Sequence, residues 1–314
     1  MPTQDISRAT SNVALPVEVS EEIWAKAIEQ SAFMQLGTRV NIPGTGTDIQ
    51  TITGEPQADW VAETGVKPVS FHTFGKKTLK PYKLAVIEPF SNEFLRDKKG
   101  LYAECVNRLP AALGKKFDTT IMGTSAPGSG FDVLGTGVSA VSILPDTSNN
   151  NNISTYDRFV AVDAAISAQD GILNAIALAP QGKSIVLGAV DGIGHPLFTA
   201  GVGSNTVGNI LGSTVAVNKG VYVAGSAATQ SAAGVPATVG VAGDFTGVRW
   251  GSVEGVQMRA SDQATLTYTN ASNQTVTINL WQQNMFAVLF EIEVAFGVMD
   301  KNQLVLLTGA TPSA

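Results

Sequence analysis

The side chains that most often carry chemistry are scarce in this 314-residue chain. Its two histidines, His72 and His195, lie 123 positions apart. They lack the i, i+4 spacing by which one helix face presents two imidazoles to a metal, so neither a histidine metal centre nor a His-based triad is expected. Cys105 is the only cysteine, which removes intramolecular disulfides and cysteine zinc sites. The nearest approach to a catalytic motif is ALAPQGKS at 177–184, which fits a relaxed phosphate-binding loop through Gly182, Lys183 and Ser184. Its first position falls inside an expected strand, so the wrap-around loop is too short. Pro180 also lacks one of the N–H donors that would cradle a phosphate. Gly192-Ile-Gly194 lacks the third glycine and the flanking strand of a dinucleotide fingerprint and reads as a turn. No acid, base and nucleophile come together, so no enzyme activity, cofactor or metal is expected.

Charge narrows the function further. With 20 basic and 26 acidic side chains the formal charge is −6, which argues against a surface built to neutralise phosphates in a specific nucleic-acid complex. The charges are unevenly spread. Ten of the 20 Lys and Arg lie between Lys76 and Lys116, whereas the residues after Asp118 hold six basic and twelve acidic groups. That second half is rich in Gly, Ala, Val and Thr, which suggests β structure whose surfaces meet other subunits. The cluster Lys76, Lys77, Lys80 and Lys83 reads as a solvated strand face. The opening MPTQDISRAT has neither the basic nor the apolar region of a signal peptide, and Glu291 and Glu293 interrupt the most apolar stretch, 286–299. No membrane association is expected, and synthesis and assembly are expected in a cytoplasm.

The longest helical pattern is 91–123, and the other elements flank it. From Leu101 the apolar positions Leu101, Cys105, Leu109, Leu113, Phe117 and Ile121 recur every four residues, with Tyr102, Val106 and Ala112 widening the stripe. This predicts an amphipathic helix of about six turns, roughly 33 Å long. Ser91 caps a short preceding helix, Lys98-Lys99-Gly100 is a break, Gly123 is a stop, and Pro110 bends the long helix. Before it, Ser20 caps a first helix carrying Ile23, Trp24, Ala27 and Ile28 and ending at Gly37. Strands at 49–53 and 69–79, joined by GEPQADWVAETGVKP, form a hairpin that cannot stand alone and must lean on something. Trp60, beside Asp59 and Glu63, is its expected contact point. After a Gly-, Ser- and Asn-rich boundary come a helix at 154–169, a strand at 172–179 and a helix from Pro180 to Val190. Short β runs follow at 214–217, 221–224, 239–241, 256–259, 264–268 and 275–280, then strands at 285–296 and 303–308.

A helix, a projecting hairpin, a long spine helix, a central α/β region and a final long strand, in that order, resemble the Hong Kong 97-type major capsid proteins of tailed bacteriophages. The residues that carry the resemblance include Leu15-Pro16 ahead of Ser20, the run Ala58-Asp59-Trp60-Val61-Ala62-Glu63 followed by Lys67-Pro68, and Leu79 to Leu84 before Ser91 and Asp97. Ala112 to Asp118, Gly130 to Gly135, Ala179-Pro180, Gly194 to Phe198, Ile210 to Gly212, Gly243-Asp244-Phe245 and Gln283 to Phe296 continue it.

The resemblance implies an α+β fold with an N-terminal arm and first helix at 1–46 and an extended loop at 47–82. A peripheral domain would follow at 83–150 and 248–300, with an axial domain at 151–247 and 301–314. It implies a structural protein that assembles with itself into pentamers and hexamers, forming an icosahedral or prolate shell around a double-stranded DNA genome. The implied partners are a portal protein, a separate scaffolding protein, since the chain begins almost at the arm, and a decoration or cement protein. Candidate inter-subunit contacts are Trp60, Glu63, Lys67, Lys76, Lys77 and Lys80. Some members join subunits by a Lys–Asn isopeptide bond through a lysine shortly after the Ala-Glu pair of the extended loop. Here Thr64 or Gly65 stands at that place, so no covalent chainmail is expected. The alternatives are an encapsulin-like compartment of the same fold, a β-rich cell-surface or adhesin protein, and a nucleotide hydrolase using Lys183.

Overall fold

A computed structural model describes residues 31–54, 56–97, 99–146, 153–190, 195, 197–198, 209–228, 233–270 and 272–312, with the backbone alone at 52–54 and 99–107. The arm and most of the expected first helix therefore lie outside the described residues, as does the side chain of Cys105. Ser31 is extended and its hydroxyl accepts from the Met34 amide at 3.2 Å, so α1, Ala32–Leu36, is a separate short helix with its own cap: the expected helix does not run unbroken to Gly37, although α1 ends there.

Next come the two-residue strand β1 (Thr38–Arg39), the hairpin strands β2 (Thr47–Gly54) and β3 (Thr73–Leu79), and β4 (Tyr82–Ser91). The short helix α2 (Asn92–Asp97) follows, its Phe94 amide donating to the Ser91 hydroxyl at 3.1 Å. The long helix α3 runs unbroken over Lys99–Met122 with Pro110 inside it. α2 and α3 are separate helices, as the expected break at Lys98-Lys99-Gly100 requires, but Lys99 and Gly100 already belong to α3 and Lys98 lies outside the described residues. A glycine costs about 1 kcal/mol in a helix interior, less than the buried stripe downstream contributes.

The chain continues through β5 (Ser139–Ser142), α4 (Thr155–Ser167), β6 (Ala175–Leu178) and α5 (Pro180–Leu187). Then come the strands β7 (Thr214–Val217), β8 (Thr238–Gly243), β9 (Val248–Ser252), β10 (Gln257–Ser261), β11 (Thr265–Thr269), β12 (Thr275–Asn279), β13 (Met285–Val298) and β14 (Leu304–Thr308). The expected strand at 221–224 is instead a 3₁₀ turn, Lys219–Val221, followed by a single bridge from Val223 to Thr238. The Asn218 side chain caps that turn by accepting from the Gly220 amide at 2.8 Å. ALAPQGKS passes from β6 into α5 through Ala179 alone, which leaves no loop to wrap a phosphate.

Two five-stranded sheets carry the structure. In the first, β13 pairs antiparallel with β4 along one side and with β10 and β9 along the other, and β1 adds in parallel to β9. Alternation gives β13 two faces. Val288, Phe290, Ile292, Val294 and Phe296 are buried against Leu109, Leu113, Phe117 and Ile121 of α3, while Leu289, Glu291 and Glu293 point the other way. Phe117 meets Phe296 edge-on at 6.1 Å and Phe131 at 6.2 Å. Each fully buried aliphatic or aromatic side chain there contributes about 1.5–3 kcal/mol.

The second sheet has the order β5-β14-β8-β6-β7. Its strands AIAL and LVLLT are uninterrupted apolar runs because both faces are covered. Leu304 and Leu306 join the first core, while Val305 and Leu307 pack with Phe159, Val162 and Ile166 of α4. The α4 start is a capping box, with the Ser154 hydroxyl accepting from the Asp157 amide and the Asp157 carboxylate from the Ser154 amide.

Candidate inter-subunit surface

The β2–β3 hairpin is seated at its root. Leu79 is fully buried against Ile42 and Ala295, and Gly297 leaves room for its side chain. The Lys80 amide donates to the Gly130 carbonyl at 3.0 Å. Lys77 reaches Asp132 at 2.7 Å, and the same carboxylate accepts from the Val298 amide at 2.9 Å. Lys301, donating to the Val133 carbonyl at 2.8 Å, closes this knot. Part way along, Asp48 accepts from the Thr78 hydroxyl at 2.5 Å and from Lys76 at 3.2 Å. Those hydrogen bonds, the hydroxyl's first, hold its carboxyl below the ordinary range.

Beyond the root the support ends. Residues 56–72 are extended without a sheet partner, tied by the Gln57 amide donating to the Ser70 hydroxyl at 2.9 Å and by a turn from the Gly65 amide to the Ala62 carbonyl. Thr64 sits in that turn at φ 68°, a left-handed conformation that β-branched residues rarely adopt. Trp60 has a relative exposure of 105%, and Val66, Val69, Phe71 and Phe74 are exposed with it. A run of apolar side chains left in water on a projecting segment marks an interaction surface.

The six expected contact residues do not form one cluster. Trp60 and Lys67 line one shallow hollow of the loop, and Glu63 is exposed nearby in the sequence. Lys76 and Lys80 are exposed lower down, and Lys77 is turned into the root by Asp132. Phe71 and Phe74 were not singled out from sequence. The signal for Phe71 was its alternation with Val69, which reads as the buried face of a strand although nothing among the described residues covers it; Phe74, three positions on, falls on the other face. Asp132 was also missed, because its partners Lys77, Val298 and Lys301 are remote in sequence.

A second projection is the β11–β12 ribbon, separate from both large sheets, with Tyr268 and Trp281 exposed. It is anchored where Asn284 bonds Asn92 at 2.8 Å and Glu93 at 2.6 Å.

A third feature is internal. Asp118 of α3 is buried and accepts from the Ser31 hydroxyl at 2.6 Å and the Ala32 amide at 2.8 Å, pinning the start of α1 to the long helix. Burial raises its pKa to about 7 against the pull of those donors. Among the described residues no group of three or more His, Cys, Asp or Glu could hold a metal ion. No described helix is long and apolar enough to cross a membrane.

Comparison with known proteins bears on this geometry. The model of the phage capsid family matches residues 11–309. The probable major capsid protein gp17 of Mycobacterium phage L5 is 29% identical over 304 residues, covering 94% of this chain and 89% of that one. Its counterpart in Mycobacterium phage D29 is 28% identical over 302 residues with the same coverage. Among solved structures, a chain from Mycobacterium phage Adephagia superposes with a TM-score of 0.70 at 20% identity, covering 90% of this chain and 91% of that one.

Proposed function

The chain belongs to the phage capsid family, has its Hong Kong 97-type α+β fold and serves as a major capsid protein of a tailed phage, and we propose how it builds the shell. Copies associate into pentamers and hexamers by laying the loop between β2 and β3 across a neighbouring subunit. The observation that carries this is the loop itself: Trp60, Val66, Val69, Phe71 and Phe74 are exposed, while Leu79, Ile49, Lys77 and Lys80 seat its root on its own chain. In this reading 83–150 and 248–300 form the peripheral domain, and 151–247 and 301–314 the axial domain around the symmetry axes. β5, although it falls within 83–150, pairs with β14, so in this reading 139–142 cross over to extend the axial sheet.

The shell encloses double-stranded DNA and is assembled in the host cytoplasm with a portal protein, a separate scaffolding protein and, on its outside, a decoration protein. Negative-stain images of the purified chain test this. Closed shells of uniform size that contain double-stranded DNA when made in infected cells support it, and a stable monomer at assembly concentrations sinks it. Shells filled with a host enzyme instead of DNA would favour the compartment reading. With Thr64 and Gly65 where a crosslinking lysine would stand, shells boiled in detergent run as the 32.7 kDa chain. A ladder of multiples would refute that.

A further inference from the structure

The sheet and helix that make the first core differ in charge on their outer sides: the sheet face balances Glu291 and Glu293 with Lys83 and Arg259, and the helix face is basic. On the sheet side, β13 presents Glu291 and Glu293, with Lys83 of β4 neutralised between them at 3.4 and 3.3 Å. The hairpin roots on this same side, because Leu79 packs on Ala295 and Gly297, which share the parity of Glu291 and Glu293 along the strand. On the helix side, α3 turns Leu109, Leu113, Phe117 and Ile121 inward and leaves Lys115 and Lys116 exposed. The 3₁₀ turn places exposed Lys219 beside them: Gly220 packs directly on the backbone of Lys115, and the Thr119 hydroxyl donates to the Gly220 carbonyl at 3.3 Å.

None of these three lysines makes an ion pair among the described residues. Asp118, next to them on α3 and against Gly220, is buried and faces Ser31 and Ala32 instead. Unpaired ammonium groups on a chain of net charge −6 are a local inversion of sign, repeated once per copy across a shell.

We propose that the α3 side carrying Lys115, Lys116 and Lys219 faces the lumen and meets the phosphates of the packaged double helix, while the hairpin roots on the opposite side. Three lysines per subunit, with no base-reading groups beside them, supply sequence-independent contact that weakens with salt, a logarithmic slope of about −2.7 for three phosphates neutralised. This inference rests on the genome-shell reading above.

Amine labelling of intact DNA-filled particles, and of the same particles after the DNA is released, tests it by peptide mapping. Lys115, Lys116 and Lys219 are expected to be protected severalfold in filled particles and to react after release, while Lys76 changes little. Equal labelling in both states overturns the assignment, as does protection that persists after release, which would put the lysines in subunit contacts. Formaldehyde treatment of filled particles supplies a second readout, with adducts to DNA expected on these three residues. Adducts confined to other lysines count against the proposal. Particles that never contain DNA would sink the genome-shell reading instead.

Discussion

Helix α3 and the β2–β3 hairpin attach to the same strand, β13, and are finished by different means. The helix hides its stripe inside its own chain, where Leu109, Leu113, Phe117 and Ile121 meet Phe290, Ile292 and Phe296. The hairpin is seated by Leu79, with Ile49 packed partly buried beside it, and leaves Trp60, Phe71 and Phe74 in water. The difference separates two free energies. What the helix buries stabilises the subunit, and what the hairpin exposes is available to stabilise the assembly. A two-stranded hairpin is marginal by itself, so its order depends on what it touches.

Substitutions should respect that division, and the largest expected effect is on the helix. Replacing Leu109 and Leu113 together by Asp puts two carboxyls where relative exposure is 7% and 3%. Each costs several kcal/mol, so the subunit should fail to fold and particles should vanish from a sedimentation profile. Intact shells would show that the stripe is not the core of the subunit.

Trp60→Ala should do the reverse. The dissociated subunit should unfold within about 0.5 kcal/mol of the parent, because the side chain touches little of its own chain. Subunit association should weaken by about 2 kcal/mol per contact, raising the concentration at which shells appear in light scattering. A destabilised subunit with normal assembly would collapse the distinction.

A smaller, pH-dependent effect belongs to the junction of α1 with α3. Asp118 binds its proton more tightly folded than unfolded, its pKa being raised by burial from 3.8 to about 7. Its contribution is therefore most favourable below about pH 4 and is lost as pH rises towards 7, with no further change above. Denaturant titrations of the subunit across that interval should show stability declining with pH, and Asp118→Asn should flatten the decline. An unchanged slope would mean that other groups set it. The smallest effect is expected at Lys76→Ala: its partner Asp48 is solvated, and the subunit's unfolding midpoint should not move measurably.

The two regions also differ in how far the sequence revealed them. The four-residue spacing of α3, the Ser154–Asp157 box of α4 and the alternation of β13 are local patterns, and each produced its element. The hairpin strands were legible too, although 69–72 are extended chain and not strand, since β2 ends before they could pair. What local pattern could not supply was long-range pairing: β5 beside β14, Asp132 under Lys77, Ser31 on Asp118. The turn at Lys219–Val221 was misread for the same reason, because its shape answers to the backbone of Lys115 a hundred residues earlier. The contact residues were half legible. An apolar alternation announces a covered face, but whether the cover comes from the same chain or another is not a property of the segment.

The fourteen residues of β13 have a mechanical consequence. The strand is paired over its whole length, by β4 at 285–294 on one edge and by β10 at 287–291 and then β9 at 294–298 on the other. Ladder bonds lie perpendicular to the strand, so tension along it loads many of them together in shear instead of unzipping them in turn. The hairpin's seat bears on Ala295, within the β9 pairing and one residue past the end of the β4 pairing. A pull handed from one subunit to the next through the hairpin would therefore enter the subunit where the β4 and β9 pairings meet, and pass into both ladders. A closed wall under outward pressure needs its joints to take load in that way.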